Sequence, residues 1–186
     1  MIPIIGCSIL ALTISIERFI YLKNFGASRL APKMLSLIEQ EKFTDALSLA
    51  ENQTSPVLRV ISTGILQRAD QPSKAMEAAA IAEITKMKRG LPLLDTVITL
   101  GPLLGLLGTI IGMINSFGIM SESGLGNPQA VTGGVAEALV CTAAGILVAV
   151  TTLIPYNFFL ARLEEETEKM EHYATITESV LQRGIL

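Results

Sequence analysis

The sequence contains no tryptophan, a single histidine (His172) and only two cysteines (Cys7 and Cys141) among 186 residues. One histidine and no Cys-x-x-Cys pair leave no zinc site. Both cysteines fall inside apolar stretches, which makes them poor disulfide partners and excludes a secreted disulfide scaffold. Charge is scarce as well. Asp, Glu, Lys and Arg make up 17% of the chain, against about 25% in an ordinary soluble domain. The 50% hydrophobic content excludes a disordered chain. No nucleophile–base pair, phosphate loop or metal cluster is present, so no catalytic residue, metal or cofactor is expected. A net charge of −3 without a basic stripe argues against nucleic acid as a partner.

Basic residues are missing altogether from residues 93–161, which hold only three acids, Asp95, Glu122 and Glu137. Residues 1–16 carry no charge. Residues 17–92 hold 11 basic and 8 acidic side chains, and residues 162–186 hold 3 and 6. A globular surface spreads its charge, whereas this chain confines it to two blocks separated by apolar runs. Residues 96–114 give 19 uncharged positions and residues 138–161 give 24. About 20 apolar residues cross a hydrocarbon core of about 30 Å. Residues 1–16 are shorter, but Phe19, Ile20, Tyr21 and Leu22 continue the run. No Lys or Arg precedes it, and it ends at Glu17-Arg18 rather than at a small-residue cleavage site. It is therefore expected to be a first membrane helix rather than a cleaved signal.

The basic block at 17–92 against the base-free 120–131 loop sets the orientation by the positive-inside rule. The expected layout is a first transmembrane helix at 1–22 with its N-terminus outside. A cytoplasmic helical region at 23–92 follows, then a second transmembrane helix at 93–119 and an outer loop at 120–131. A third transmembrane helix at 132–161 leads into a cytoplasmic helical tail at 162–186. The fold class is all-α, with three membrane helices and long helical cytoplasmic extensions.

Turn signals divide the first cytoplasmic block. Asn52-Gln53-Thr54 ends one helix, and Ser55-Pro56 starts the next as N-cap and first helical residue. That helix carries Val57, Ile61 and Ile65 on one stripe. Gln71-Pro72-Ser73 punctuates again, and Gly90 and Pro92 mark the start of the second span. In the tail, Leu163, Thr167, Met170, Ala174, Thr177 and Leu181 recur at steps of four and three, as in a helix packed on a neighbour. The acids Glu164, Glu165, Glu166 and Glu168 are expected mostly to face solvent. No breaker separates Phe158 from Arg183, so the third span is expected to run on as one long helix.

The second span carries a ladder of small residues: Gly101, Gly105, Gly108, Gly112 and Ser116, at steps of 4, 3, 4 and 4. Five small residues on one helical face let a second helix approach closely in lipid. That second helix could belong to the same chain or to another copy. A matching stripe in the third span comprises Ala138, Thr142, Gly145, Ala149 and Thr152. Thr109 sits beside the ladder and can bond the carbonyl four residues back. Glu137 lies about one turn into the apolar part of the third span, where a carboxylate needs water or a partner. No Lys or Arg of this chain is available at that depth. Asp95 is expected to face water or cap the second span. Pro102 and Pro155 sit inside spans, where each could act as a bend or a hinge.

Side by side, the segments GPLLGLLGTIIGMINSF (101–117) and GGVAEALVCTAAGILVAVTTLIPYN (133–157) resemble the ExbB/TolQ/MotA family of ion-driven motor subunits. The first is similar to the family's Pro-x-x-Gly-x-x-Gly-Thr-x-x-Gly-Met pattern. The second is similar to its Ala-Glu-Ala-Leu-x-x-Thr-Ala-x-Gly pattern with a later Pro-Tyr-Asn. Three spans fit the ExbB and TolQ branches better than the four-span flagellar subunit. The resemblance implies a homopentamer around a pore lined by the second and third helices. Thr109, Glu137 and Thr142 would be its polar lining, and Gly101, Gly105, Gly108, Gly112 and Gly145 its packing positions. It also implies an ExbD- or TolR-like single-span partner whose membrane Asp carries the proton, which this chain lacks. A TonB- or TolA-like protein would take up the work, in a bacterial inner membrane with a periplasmic N-terminus and cytoplasmic C-terminus. The most similar branch is ExbB. The alternatives are a TolQ-type subunit for envelope maintenance and a non-conducting oligomeric scaffold.

Overall fold

The computed structural model describes residues 1–23, 25, 29–51, 53–123 and 128–183. Seven helices account for nearly all of them: α1 (Ile2–Lys23), α2 (Ala31–Glu39), α3 (Phe43–Ala50), α4 (Pro56–Leu66), α5 (Pro72–Lys88), α6 (Leu91–Ser123) and α7 (Pro128–Arg183). No strand occurs among the described residues. Helices α1, α6 and α7 are each long and apolar enough to cross a membrane. In lipid a helix satisfies its own main chain, which is why these runs take that form.

The helices overrun the limits expected from composition. Helix α6 starts two residues before 93 and reaches Ser123, and α7 starts at Pro128. Both therefore run into the expected 120–131 loop, of which 124–127 lie outside the described residues. Helix α7 has 56 residues and passes through Pro155, as α6 passes through Pro102. About 20 residues suffice for the hydrocarbon, so α7 continues well beyond it. The continuous helix expected from the missing breaker is thus present.

The chain forms two compact units. The first comprises Met1–Glu17 and Gly90–Phe158, the second Arg18–Arg89 and Phe159–Leu186. The division coincides with the charge map. The first unit contains no Lys or Arg at all, and the second holds all 14.

In the first unit, α1 buries Ile4 and Ala11, one heptad apart, while Ile2, Ile9 and Leu12 stay exposed. The outward faces of α6 and α7 carry Leu103, Leu106, Ile110, Leu139, Leu147 and Ile154, all exposed. Such a surface suits lipid or a neighbouring membrane helix rather than water.

The second unit has a conventional apolar core. Helix α4 is its centre: Val57, Leu58, Val60, Ile61 and Ile65 are all fully buried. The expected stripe of Val57, Ile61 and Ile65 is therefore only part of a wider buried surface. Helix α2 contributes Ala31, Met34, Leu35 and Ile38 at helical spacing. Helix α4 begins at Pro56 as expected, with Ser55 extended before it, but the Ser55 hydroxyl makes no cap bond and is buried without a partner. Of the expected stop at 52–54, α3 ends at Ala50, and Asn52 lies outside the described residues. Gln71 takes a left-handed conformation ahead of Pro72, which turns the chain into α5. At the other end of α5, Gly90 has φ 83°, the conformation that glycine adopts most easily after a helix.

Two carboxylates are buried here. Glu83 of α5 accepts from Lys86 at 2.7 Å and faces Arg59 at 3.3 Å. In the tail, Leu163, Met170, Thr177 and Leu181 are buried, as the four-and-three spacing predicts. Of the tail acids expected mostly to face solvent, Glu164, Glu165 and Glu168 are exposed, and Glu166 is the exception, only 1% exposed. Its position lies between Leu163 and Met170 on the helix surface, so the packed face is wider than the apolar stripe suggests. Its neighbour Glu165 is half-exposed and pairs with both Arg162 and Lys169. The Lys169 ammonium, bonded at 2.6 Å, is the main reason that the Glu165 carboxyl is held below the ordinary carboxylate range.

Candidate functional site

The glycine ladder of α6 meets α7 of the same chain. A Cβ on Gly101 would lie 2.9 Å from the Gly145 carbonyl oxygen, and one on Gly105 3.0 Å from the Cys141 oxygen and the Thr142 Cα. One on Gly108 would lie 2.7 Å from Cys141 Cβ, and one on Gly112 2.7 Å from Ala138 Cβ. Ser116 abuts Gly134, and Gly145 abuts Gly101 from the other side. Any side chain at these places would separate the helices, so glycine is dictated by contact rather than by backbone torsion.

The register is antiparallel and regular. The facing residues of α7 are Gly134, Ala138, Cys141, Gly145 and Ala149, which repeat the 4, 3, 4, 4 spacing of the α6 ladder. This departs from the stripe expected from sequence: Cys141 occupies the seam, and Thr142 flanks it. The middle rungs, Gly108 and Cys141, touch each other. Cys141 Sγ also lies 3.3 Å from the Met1 sulfur. Both cysteines are free thiols.

This register brings two threonines together. Thr109 follows the middle rung of α6, and Thr142 follows that of α7. On ideal helices each is displaced from the seam by about 60° in the same rotational sense. Because the helices run antiparallel, equal rotations carry both residues to the same edge of the pair. Their Cα positions differ by about 3 Å along the axis. Thr142 Oγ1 donates to the Gly105 carbonyl at 3.1 Å, across the seam. Thr109 Oγ1 donates to Leu106 O at 2.6 Å, three residues back rather than the four expected. Each hydroxyl has spent its proton on the main chain. Its oxygen lone pairs remain to accept a hydrogen bond from water or another proton donor.

Glu137 is not part of this edge. It precedes Thr142 by five positions, about 140° around an ideal helix, which puts it on the opposite side of the α6–α7 pair. It is exposed and has no ion pair among the described residues. Asp95 is exposed near the start of α6, and its carbonyl accepts from Thr99. Thr152 and Ser116 are buried in the seam and bond their own helices at 2.7 and 2.8 Å. Among the described residues no three His, Cys, Asp or Glu side chains converge on a metal position.

The fold and this seam define a helical membrane protein with an edge of hydroxyl acceptors and no lysine or arginine in the membrane unit. Residues 39–172 match the model of the MotA/TolQ/ExbB proton channel family. The chain belongs to that family. It is 34% identical over 184 residues to the biopolymer transport protein ExbB-like 3 of Synechocystis, covering 91% of this chain and 88% of that one. It is 34% identical over 113 residues to the Tol-Pal system protein TolQ of Pseudomonas aeruginosa, covering 61% and 49%. Against the biopolymer transport protein ExbB of Xanthomonas campestris it is 37% identical over 94 residues, covering 50% and 37%.

Sequence reasoning had Thr109, Thr142 and the glycines in hand. It missed Cys141 and Gly134 as seam members, although the 4, 3, 4, 4 spacing shared with α6 would have revealed them. It also missed Glu83 and Glu166 as buried carboxylates. For both, the available signal was a lysine three positions on.

Proposed function

We propose that this chain is the channel-and-scaffold subunit of an inner-membrane motor that couples the proton motive force to mechanical work. Its ExbB-type form would act on a TonB-type protein spanning the periplasm, for outer-membrane transport. The observation that carries the reading is the shared edge of Thr109 and Thr142. It presents two hydroxyl acceptors in a membrane unit that holds four acids and no base. A hydrated proton is stabilised by acceptors and repelled by cations, so such an edge favours its passage. The chain has no carboxylate, histidine, lysine or arginine at the level of the two threonines. The proton carrier is then the membrane Asp of an ExbD- or TolR-like single-span subunit, enclosed by a homopentamer of this chain. The basic second unit would face the cytoplasm and the N-terminus the periplasm.

We favour an ExbB-type over a TolQ-type role because the relative that aligns over 91% of this chain carries an ExbB-like name, whereas the TolQ relative aligns over 61% of it. Glu137, on the other edge, would meet the outer vestibule or a neighbouring subunit. Pro102 and Pro155 would serve as bends.

The test is energised uptake in cells carrying the partner subunits, with assembly followed by size-exclusion of the purified complex. Thr142→Ala, Thr109→Val and Glu137→Ala should each abolish or sharply reduce uptake and leave assembly intact. Thr142→Ser, which keeps the hydroxyl, should retain activity. Full uptake by both threonine variants would refute the shared edge as the ion path and return the scaffold reading to first place.

A further inference from the structure

The second unit contains a polar cavity of about 410 Å³ between the chain just past α1 and the part of α7 just past its uncharged run. Phe25 and Arg29 line one side, and Arg162, Glu165, Glu166 and Lys169 the other. The charges are incompletely matched. Arg162 and Lys169 both pair with Glu165, and Lys169 also reaches Glu166 Oε1 at 2.9 Å. The second oxygen of Glu166 is buried and meets no donor. Arg29 has no carboxylate within ion-pair reach among the described residues. Three cations against two acids leave one positive charge over. A buried carboxylate oxygen without a donor is costly, and an unopposed guanidinium favours a phosphate, which it can hold through two parallel bonds.

We infer that this cavity binds a phosphoethanolamine group: the Glu166 carboxylate turns so that its unpartnered Oε2 accepts from the ammonium, and Arg29 and Arg162 hold the phosphate. Depth along α7 agrees with a lipid source. The uncharged run ends at Ala161, so Arg162 and Glu166 lie about 2 and 8 Å beyond it. The headgroup layer on each side of the hydrocarbon is about 5–8 Å thick. Phe25 offers an apolar wall beside the glycerol. A soluble phosphoethanolamine ester has the same recognition chemistry. The inference is independent of the transport reading: the cavity lies within the second unit, and the lipid source asks only that the uncharged run of α7 sit in a membrane.

The experiment is native mass spectrometry of the purified full chain, exchanged into detergent with phosphatidylethanolamine, phosphatidylcholine or phosphatidylglycerol of the same acyl chains. Phosphatidylethanolamine should be retained roughly tenfold over phosphatidylcholine, the equilibrium effect of one charge-assisted hydrogen bond. The trimethylammonium of phosphatidylcholine has no N–H to give Glu166. Glu166→Gln should reduce the preference to near unity, whereas Arg29→Ala, which removes a phosphate contact common to both lipids, should lower the retention of each roughly tenfold. Arg29 is exposed, so its loss does not endanger the core. Free O-phosphoethanolamine is added in a second arm. Displacement of the lipid identifies the soluble ester as a competing ligand of the same site, and retention of the lipid identifies the headgroup as the sole source. Equal retention of ethanolamine and choline lipids overturns the inference. So does a preference for phosphatidylglycerol, a selectivity that Glu166→Gln leaves unchanged, or a phosphatidylethanolamine retention that Arg29→Ala leaves unchanged.

Discussion

Gly105→Ala probes the helix seam where it has least room to adjust. The new methyl would lie 3.0 Å from both the Cys141 carbonyl oxygen and the Thr142 Cα. Relaxed carbon contacts lie at about 3.5–4.0 Å, so α6 and α7 must part locally by about 0.5–1 Å. Both obstructing atoms are main chain, and no rotamer change can relieve them. Separation also stretches the Thr142–Gly105 hydrogen bond from 3.1 Å. Overpacking costs about 1–3 kcal/mol, and a hydrogen bond between membrane helices contributes roughly 0.6 kcal/mol. Alanine regains up to about 1 kcal/mol over glycine in helix propensity. Gly118→Ala isolates that gain, because Gly118 is also on α6 and has nothing within 4 Å of its would-be Cβ. The gap between the two variants is expected to be about 2–3 kcal/mol, with Gly105→Ala the less stable. Reversible unfolding by SDS titration in mixed micelles, followed by circular dichroism, measures it. Equal unfolding midpoints for the two variants would refute the close approach of α6 and α7 at this position.

Two further outcomes follow from the second unit. Gly64→Ala should cost under about 1 kcal/mol, although its methyl would lie 2.5 Å from Met76 Sδ and 2.9 Å from Met76 Cγ. The obstacle here is a flexible thioether that can swing away, and a thermal-shift loss as large as that of Gly105→Ala would contradict this. The Arg162–Glu165–Lys169 cluster should add stability on a plateau across neutral pH. The Glu165 carboxyl is lowered chiefly by its bond from Lys169, so its contribution is present above the ordinary carboxylate range and lost as pH falls through the lowered value. For Lys169, burial acts to lower the pKa, but the bonds to Glu165 and Glu166 outweigh it and raise the ammonium. Its contribution is present below the ordinary lysine range and lost as pH rises through the raised value. The side chains are 31–45% exposed, so the effect is at most about 1 kcal/mol. Unfolding midpoints of the parent chain and Glu165→Gln should therefore differ at neutral pH and converge in acid; a gap that persists in acid would contradict the assignment.

Much of the architecture was legible because it depends on local properties. An uncharged run of about 20 residues suits a bilayer whatever else the chain does, and proline after Ser55 or Gln71 starts a helix wherever it lies. Burial of side chains on amphipathic or acidic helices was harder to foresee. Glu166 stands among four acids in a five-residue stretch, which in isolation looks solvated. Its burial depends on what packs against α7 from elsewhere in the chain.

The sequence by itself determined that the chain is helical, that three segments suit a membrane, and that the membrane unit carries no base. It also determined the small-residue spacing on α6 that demands a close neighbour. These follow from composition and helical period, which are properties of single segments. Only the tertiary structure decided that the neighbour is α7 of the same chain and that Gly108 meets Cys141 at the middle rung. It also decided that Thr109 and Thr142 share one edge while Glu137 takes the other. Helical period alone leaves the pairing of two segments more than 30 residues apart undefined. Which edge a residue occupies depends on that register and on the antiparallel sense of the pair.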